Sequence, residues 1–346
     1  MNRRTRSETP VPHEIGDGDV LLELRDVSVS YGAGARAVRA VDRVSLAVAA
    51  GATMAIIGES GCGKSSLAKA ICGLVPIEAG EMTFAGQAIG TGRDPAELAG
   101  RLGIQIVLQD PTAGLDPRWP IWRSVAESRR RFSESRHGAR SRALEALSEV
   151  GIDAHMADRR PAQLSGGQRQ RVTIARAIAA EPRLIVLDEA VSALDVSVRN
   201  EILVLLQGLK QRHGLTFVFI THDISVVTQC ATDATVLYLG RAVETGTAAE
   251  VLRGRSHPYT RALLSAVPTL TGDLRDRVRM TGELPSLAAP PSGCRFHTRC
   301  PFAQPVCSDV EPDLVIRAGG HPAACHFVGE LRPAASDAVA EPSAAG

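Results

Sequence analysis

Residues 58–65 read GESGCGKS and follow a short apolar run, Thr53–Ile57, that stops at Gly58. This pattern (Gly, four residues, then Gly-Lys and a hydroxyl residue) constrains the chain more than any other feature. It requires a strand that ends where the loop begins and a helix that starts near the lysine. Gly58, Gly61 and Gly63 let the backbone curl, so that N–H groups around Ser60 and Cys62 point inward at phosphate oxygens. The helix start, from Lys64 through Ser65 and Ser66, adds a partial positive charge. Lys64 supplies a full charge, and the Ser65 hydroxyl suits Mg2+. Only three of the 39 Lys and Arg residues are lysines: Lys64, Lys69 and Lys210. At these frequencies chance would place roughly 0.003 such motifs in the chain. The motif therefore reads as a nucleotide-phosphate site on an α/β fold.

Composition agrees with a folded chain. Its 346 residues leave room for about two domains. Hydrophobic residues make up 44% and charged residues 22%, which excludes wholesale disorder. A net charge of +1 gives no reason to expect nucleic acid as a partner. No apolar run approaches the ~20 residues of a membrane-crossing helix. Residues 1–19 carry Arg3, Arg4 and Arg6 without an apolar stretch, so they read as a flexible arm rather than a secretory signal.

Strand-like patterns fall at residues 21–29, 38–48, 53–57, 184–187 and 216–220. Helix-like patterns fall at 66–72, 141–150, 170–180 and 198–212. The alternation predicts a parallel α/β sheet. After residue 265 Pro, Gly and Cys become common and periodicity fades, which predicts a second, small, loop-rich domain. The expected division is an arm at 1–19, an α/β domain at 20–265, the small domain at 266–328 and a disordered tail at 329–346.

Two further motifs belong with the phosphate loop. Residues 184–187 are apolar and end in Asp188 and Glu189. Ligands of open α/β sheets bind at the carboxyl ends of strands, so both acids would arrive near the phosphates. Asp188 suits Mg2+, and Glu189 can accept a proton from, or orient, an attacking water. The second motif is LSGGQ at residues 164–168, which opens the helical pattern 170–180. Ser165 resembles an N-cap, and Gly166 and Gly167 clear the approach to the helix end, making a second anion site that includes Gln168.

LSGGQ between a phosphate loop and a Leu-Asp-Glu strand resembles the ATP-binding cassette (ABC) ATPases. Other positions match that family in order. Tyr31 looks like the aromatic that stacks on adenine. Gln109, in VLQD at 107–110, looks like the glutamine that contacts Mg2+ or the water and senses the transport partner. Asp195, in SALD at 192–195, looks like the D-loop aspartate. His222, in THD at 221–223, looks like the switch histidine at the γ-phosphate. The resemblance covers about residues 20–265. It implies a RecA-like parallel sheet core with antiparallel β and helical subdomains, the helical one at about 110–180. It also implies a second ATPase subunit, identical or homologous, with each ATP held between the phosphate loop of one subunit and the LSGGQ helix of the other. ATP would then favour the closed pair and hydrolysis would release it.

Residues 257–268, HPYTRALLSAVP, resemble the segment that ends the cassette in oligopeptide/dipeptide importer ATPases, and VSALDVSV at 191–198 also looks like that subfamily. Nickel importer ATPases are close relatives. The resemblance implies a peripheral subunit at the cytoplasmic face of the cell membrane. It would work with two membrane permease subunits and, through them, an extracytoplasmic solute-binding protein. Such ATPases carry a Cys-bearing tail next. Cys294, Cys300, Cys307 and Cys325 have intervening gaps of five, six and seventeen residues. Without Cys-x-x-Cys a common zinc ribbon is disfavoured. Four thiolates can ligate an iron–sulfur cluster, and some members of the subfamily carry a [4Fe-4S] cluster here. His297, His321 and His326 are alternative ligands, and a set of merely reduced cysteines, or a metal- or redox-sensing module, are the competing readings. The Arg-rich stretch 123–142 reads as a solvated helix face.

Overall fold

The structure, a computed structural model, describes residues 20–32, 34, 37–89, 100–128, 136–254, 256–265, 280, 282–316 and 320–330. The expected arm 1–19, residues 331–346 of the expected tail, residues 129–135 of the Arg-rich stretch and residues 266–279 of the expected small domain lie outside them.

The elements in chain order are β1 (Val20–Tyr31), β2 (Val38–Ala49), β3 (Thr53–Ile57), α1 (Lys64–Ile71), β4 (Ala79–Phe84), β5 (Gln87–Ile89) and β6 (Ile104–Val107). Helices α2 (Ile121–Glu127), α3 (Arg136–Glu149) and α4 (Gly166–Ala179) follow, then β7 (Leu184–Asp188), α5 (Val196–His213), β8 (Thr216–Thr221) and α6 (Ile224–Cys230). The chain continues through β9 (Asp233–Tyr238), β10 (Arg241–Thr247), α7 (Ala248–Gly254), α8 (Pro258–Ser265), α9 (Pro305–Asp309), β11 (Val315–Ile316) and β12 (Pro322–Ala323).

One sheet is antiparallel, in the order β2-β1-β4-β5. The other runs β11-β12-β10-β9-β3-β8-β7-β6. Its centre is parallel, with β3 between β8 and β9 and with β7 joining β8 to β6. Every residue of β3, β7 and β8 is buried, as expected for strands covered on both faces. The periodicity predicted a parallel sheet; the observed sheet is mixed. The reason is local. Leu239 and Gly240, the two residues between β9 and β10, both have positive φ, 44° and 80°. That is the pattern of a type I′ hairpin turn, which returns the chain antiparallel. β12 then pairs with β10 through Glu244 and Ala323, so the last described strands extend the main sheet.

Three apolar clusters fill the fold. One, around α1, joins the two sheets through Leu24, Val44, Ile56, Leu67 and Phe84. A second packs α2, α3 and α4 and runs under the sheet through Trp122, Leu147, Val172, Leu187 and Leu206. The third ties the C-terminal segment to β9 and α8: the rings of Tyr238, Tyr259 and Phe296 lie 4.6–5.4 Å apart. All three rings are essentially inaccessible, so truncating Phe296 to Ala would cost about 3–5 kcal/mol.

Candidate nucleotide site

The loop 58–65 joins β3 to α1. Gly63 has φ 106°, and a Cβ there would sit 2.1 Å from the Ala40 carbonyl oxygen, so no other residue fits. Gly63 is also the N-cap of α1 and offers no capping side chain, which suits a helix end that receives an anion. Lys64 is buried, and its Nζ donates to the carbonyls of Gly58 and Glu59, both at 2.9 Å. The Ser65 hydroxyl donates to Asp188 Oδ1 at 2.9 Å.

Three parallel strands deliver the remaining groups from their carboxyl ends. β7 ends at Asp188, and Glu189 follows with φ 47°, a left-handed conformation rare outside glycine. Gln109, just past β6, donates from Nε2 to Glu189 Oε2 at 3.2 Å. His222, just past β8, puts Nδ1 3.4 Å from Glu189 Oε1. Each oxygen of the Glu189 carboxylate thus faces one of the residues paired with it by sequence order. Burial raises the pKa of Asp188, the Ser65 hydrogen bond works against that rise, and the Glu189 charge adds to it. Ser65 and Asp188 form a hydroxyl–carboxylate pair of hard oxygen donors, which fits Mg2+.

Ser165 caps α4 through a reciprocal box: its Oγ accepts from Gln168 N–H at 3.2 Å, and Gln168 Oε1 accepts from Ser165 N–H at 3.0 Å. The constraint at Gly167 is milder than at Gly63: a Cβ there would meet Val198 Cγ1 at 2.7 Å, so that side chain would have to shift. Ser165 is exposed, whereas Lys64 is buried, and among the described residues no hydrogen bond joins the Ser165–Gln168 turn to the 58–65 loop. Tyr31 ends β1 and is 40% exposed. Asp195 is the exposed N-cap residue of α5 and makes no side-chain cap bond.

Sequence reasoning missed three residues that brace the site. Arg199 pairs with Asp223, next to His222, and donates to the Leu194 carbonyl at 3.2 Å, so it ties the 192–195 loop to the 221–223 loop. Tyr259 and Arg299 both bond Glu59 in the phosphate loop. Arg199 and Arg299 lie outside the motifs quoted above; Tyr259 lies within the 257–268 segment, but nothing in that segment signals its contact with Glu59.

The four cysteines are free thiols and line one pocket with Phe296, His297, His326 and Phe327. Burial pushes Cys294 up to about 11 and Cys300 up to about 12. Among the described residues no group of three or more His, Cys, Asp or Glu could hold a metal ion. His321 does not line this pocket; its Nε2 is paired with the buried Glu244 at 2.5 Å. Among the described residues no helix is long and apolar enough to cross a membrane.

The chain is 44% identical over 307 residues to the oligopeptide transport ATP-binding protein OppF of Escherichia coli, covering 87% of this chain and 92% of that one. It is 39% identical over 330 residues to the dipeptide transport ATP-binding protein DppF of Haemophilus influenzae, covering 95% and 100%. Among solved structures, the dimeric post-hydrolysis state of the ATP-binding cassette MJ0796 bound to ADP and Pi matches with a TM-score of 0.60 and 31% identity, over 66% of this chain and 99% of that one. Fold and site define an ABC transporter ATPase, and residues 41–192 match the ABC transporter family. Residues 243–307 match the oligopeptide/dipeptide transporter C-terminal region. The chain belongs to the oligopeptide/dipeptide family of ABC transporter ATP-binding proteins.

Proposed function

We propose that this chain binds and hydrolyses ATP to drive an importer of oligopeptides or dipeptides, with Glu189 as the residue that activates water. The observation that carries the reading is the grip of Gln109 and His222 on the two oxygens of Glu189, beside the Ser65–Asp188 pair. The loop 58–65 and Lys64 receive the β- and γ-phosphates. Ser65, Asp188 and Gln109 are the residues that would hold Mg2+, which supplies positive charge to the phosphate oxygens when bound. Glu189 accepts a proton from the attacking water, while Gln109 and His222 fix the direction of its carboxylate. His222 and Gln109 also face the terminal phosphate, so both report whether it is present.

Tyr31 stacks on the adenine. The Ser165–Gln168 turn of a second ATPase subunit covers the phosphates, and Asp195 lies at the seam between subunits. Exposure of Ser165, Asp195 and the neighbouring Val196, 68% accessible, supports an interface there. The chain works at the cytoplasmic face of the membrane with two permease subunits and an extracytoplasmic solute-binding protein. The cargo is read by those chains, since the residues described above address phosphate and water.

The C-terminal residues 266–328 form the small cysteine-bearing domain of this proposal. Cys294, Cys300, Cys307 and Cys325 line one pocket, and the cofactor of this reading is a [4Fe-4S] cluster rather than a single ion. A cluster lets each sulfur meet a different iron, whereas one ion needs every ligand at a single point. When bound it would hold the thiols as thiolates and cross-link three segments of a loop-rich domain.

Reconstitution of the chain with its permeases in vesicles tests the function. Peptide together with the solute-binding protein is expected to stimulate ATP hydrolysis and to accumulate inside. Hydrolysis stimulated by nickel and indifferent to peptide would contradict the peptide cargo.

A further inference from the structure

Glu59 is the second residue of the phosphate loop, and the chemistry above does not use its side chain. It is nevertheless held at three points. Its N–H donates to the Tyr259 hydroxyl at 2.8 Å, and its carbonyl accepts from Lys64 Nζ at 2.9 Å. Its carboxylate accepts from both terminal nitrogens of Arg299, at 2.7 and 3.2 Å. The Arg299 side chain is 9% exposed and that of Glu59 24%, so water competes little for this pair. A two-pronged guanidinium–carboxylate contact fixes direction as well as distance.

Arg299 comes from far away in the chain. It ends the turn His297–Arg299, inside the stretch bounded by Cys294 and Cys300. The same stretch makes a second contact behind the loop. Arg295 donates to the Leu239 carbonyl and to Asp42. Leu239 begins the β9–β10 turn, and the N–H of Gly240 in that turn donates to the Cys62 carbonyl at 2.8 Å. Phe296, between the two arginines, is buried against Tyr238 and Tyr259. Residues 59 and 62 of the phosphate loop are therefore both backed, directly or through one turn, by arginines four positions apart on the cysteine-bearing segment.

We infer that Arg299 is a positioning residue for nucleotide binding, which acts by clamping Glu59 and so makes the cysteine-bearing segment a structural part of the ATP site. The physical reason is preorganisation. A loop that binds phosphate through backbone N–H groups gains affinity when those groups are already ordered. Glu59 also supplies one of the two carbonyls that park Lys64, so a shift of Glu59 moves the starting position of the lysine. This inference rests on the reading of residues 58–65 as the ATP loop.

The test uses the full-length chain, purified anaerobically, titrated with a fluorescent ATP analogue in Mg2+ and assayed for ATP hydrolysis. Glu59→Gln and Arg299→Met are each expected to raise Kd and KM about 2- to 30-fold, the range of coupling through a packed contact, with kcat changed far less. The double variant is expected to be no weaker than the weaker single variant, and Arg299→Lys is expected to recover part of the loss. Glu59→Gln leaves Arg299 and the C-terminal packing in place, so it keeps the test valid if Arg299→Met folds poorly. Tight binding by the wild type, weak binding by Lys64→Ala, and unchanged Kd in Glu59→Gln would overturn the clamp alone. Losses that multiply in the double variant would overturn it as well. Equal binding by the wild type and Lys64→Ala would instead overturn the nucleotide reading of the loop, and the clamp with it.

Discussion

The Ser65 hydroxyl donates to Asp188 Oδ1 across 2.9 Å, so the first turn of α1 and the last residue of β7 share one hydrogen bond. These are the two side chains that a phosphate-bound Mg2+ would meet. Replacing Asp188 by Asn removes the charge and keeps the shape. The expected result is a loss of Mg2+ affinity of about 10- to 100-fold, with metal-free nucleotide binding little changed. Titration of nucleotide with and without Mg2+ checks it.

Ser165→Arg places a bulky cation where α4 opens to solvent. Because Ser165 is exposed and makes no contact with the phosphate loop of its own chain, ATP binding by the isolated chain is expected to survive. ATP-dependent pairing of cassettes is expected to fail. Sedimentation with ATP in a hydrolysis-deficient background, alongside nucleotide titration, separates the two.

Asp223 caps α6 by accepting from the Ser225 N–H at 2.8 Å and pairs with Arg199. Asp223→Ala is expected to destabilise the chain by about 1–3 kcal/mol, from the lost cap and the unpaired arginine together. Asp223→Asn keeps the cap and is expected to recover part of this. Denaturant unfolding of both variants is the measurement.

His257 is buried at the start of α8, where its Nδ1 accepts from the Tyr259 N–H at 3.1 Å. Burial lowers it from 6.5 to about 4, although the Glu244 carboxylate beside it works the other way. A lowered histidine favours the neutral form in the folded state. Its contribution is complete above pH 6.5 and is lost as pH falls toward 4, by about 3 kcal/mol in all. His257→Asn retains a cap acceptor without titrating in this range. Its stability is expected to fall less between pH 7 and pH 4 than that of the wild type, as read from denaturant midpoints.

The sequence pointed to the parts of this fold that depend on local pattern. The apolar run Met54–Ile57 of β3, the glycines of the 58–65 loop, the Asp188–Glu189 pair and the Ser165 cap all follow from residue type at short spacing. Elements that depend on distant partners stayed hidden. The β9–β10 hairpin turns on Leu239-Gly240, which lacks the Asn-Gly or Asp-Gly signature of such turns, so the mixed character of the sheet was not foreseen. Arg199 is one of many arginines until α6 brings Asp223 to it. Arg299 meets Glu59 only because Phe296 is buried between Tyr238 and Tyr259, a packing fact with no periodic trace. His321 looked like a candidate ligand beside the cysteines, but a buried carboxylate, Glu244, takes it elsewhere.

The central claim is that Glu189, oriented by Gln109 and His222, activates the water that cleaves ATP. The most direct measurement is hydrolysis and nucleotide affinity of Glu189→Gln beside the wild type in the assembled transporter. Near-normal ATP affinity is expected, with turnover slowed about 10²- to 10⁴-fold and closed pairs of cassettes that persist with ATP. Turnover close to that of the wild type would contradict it.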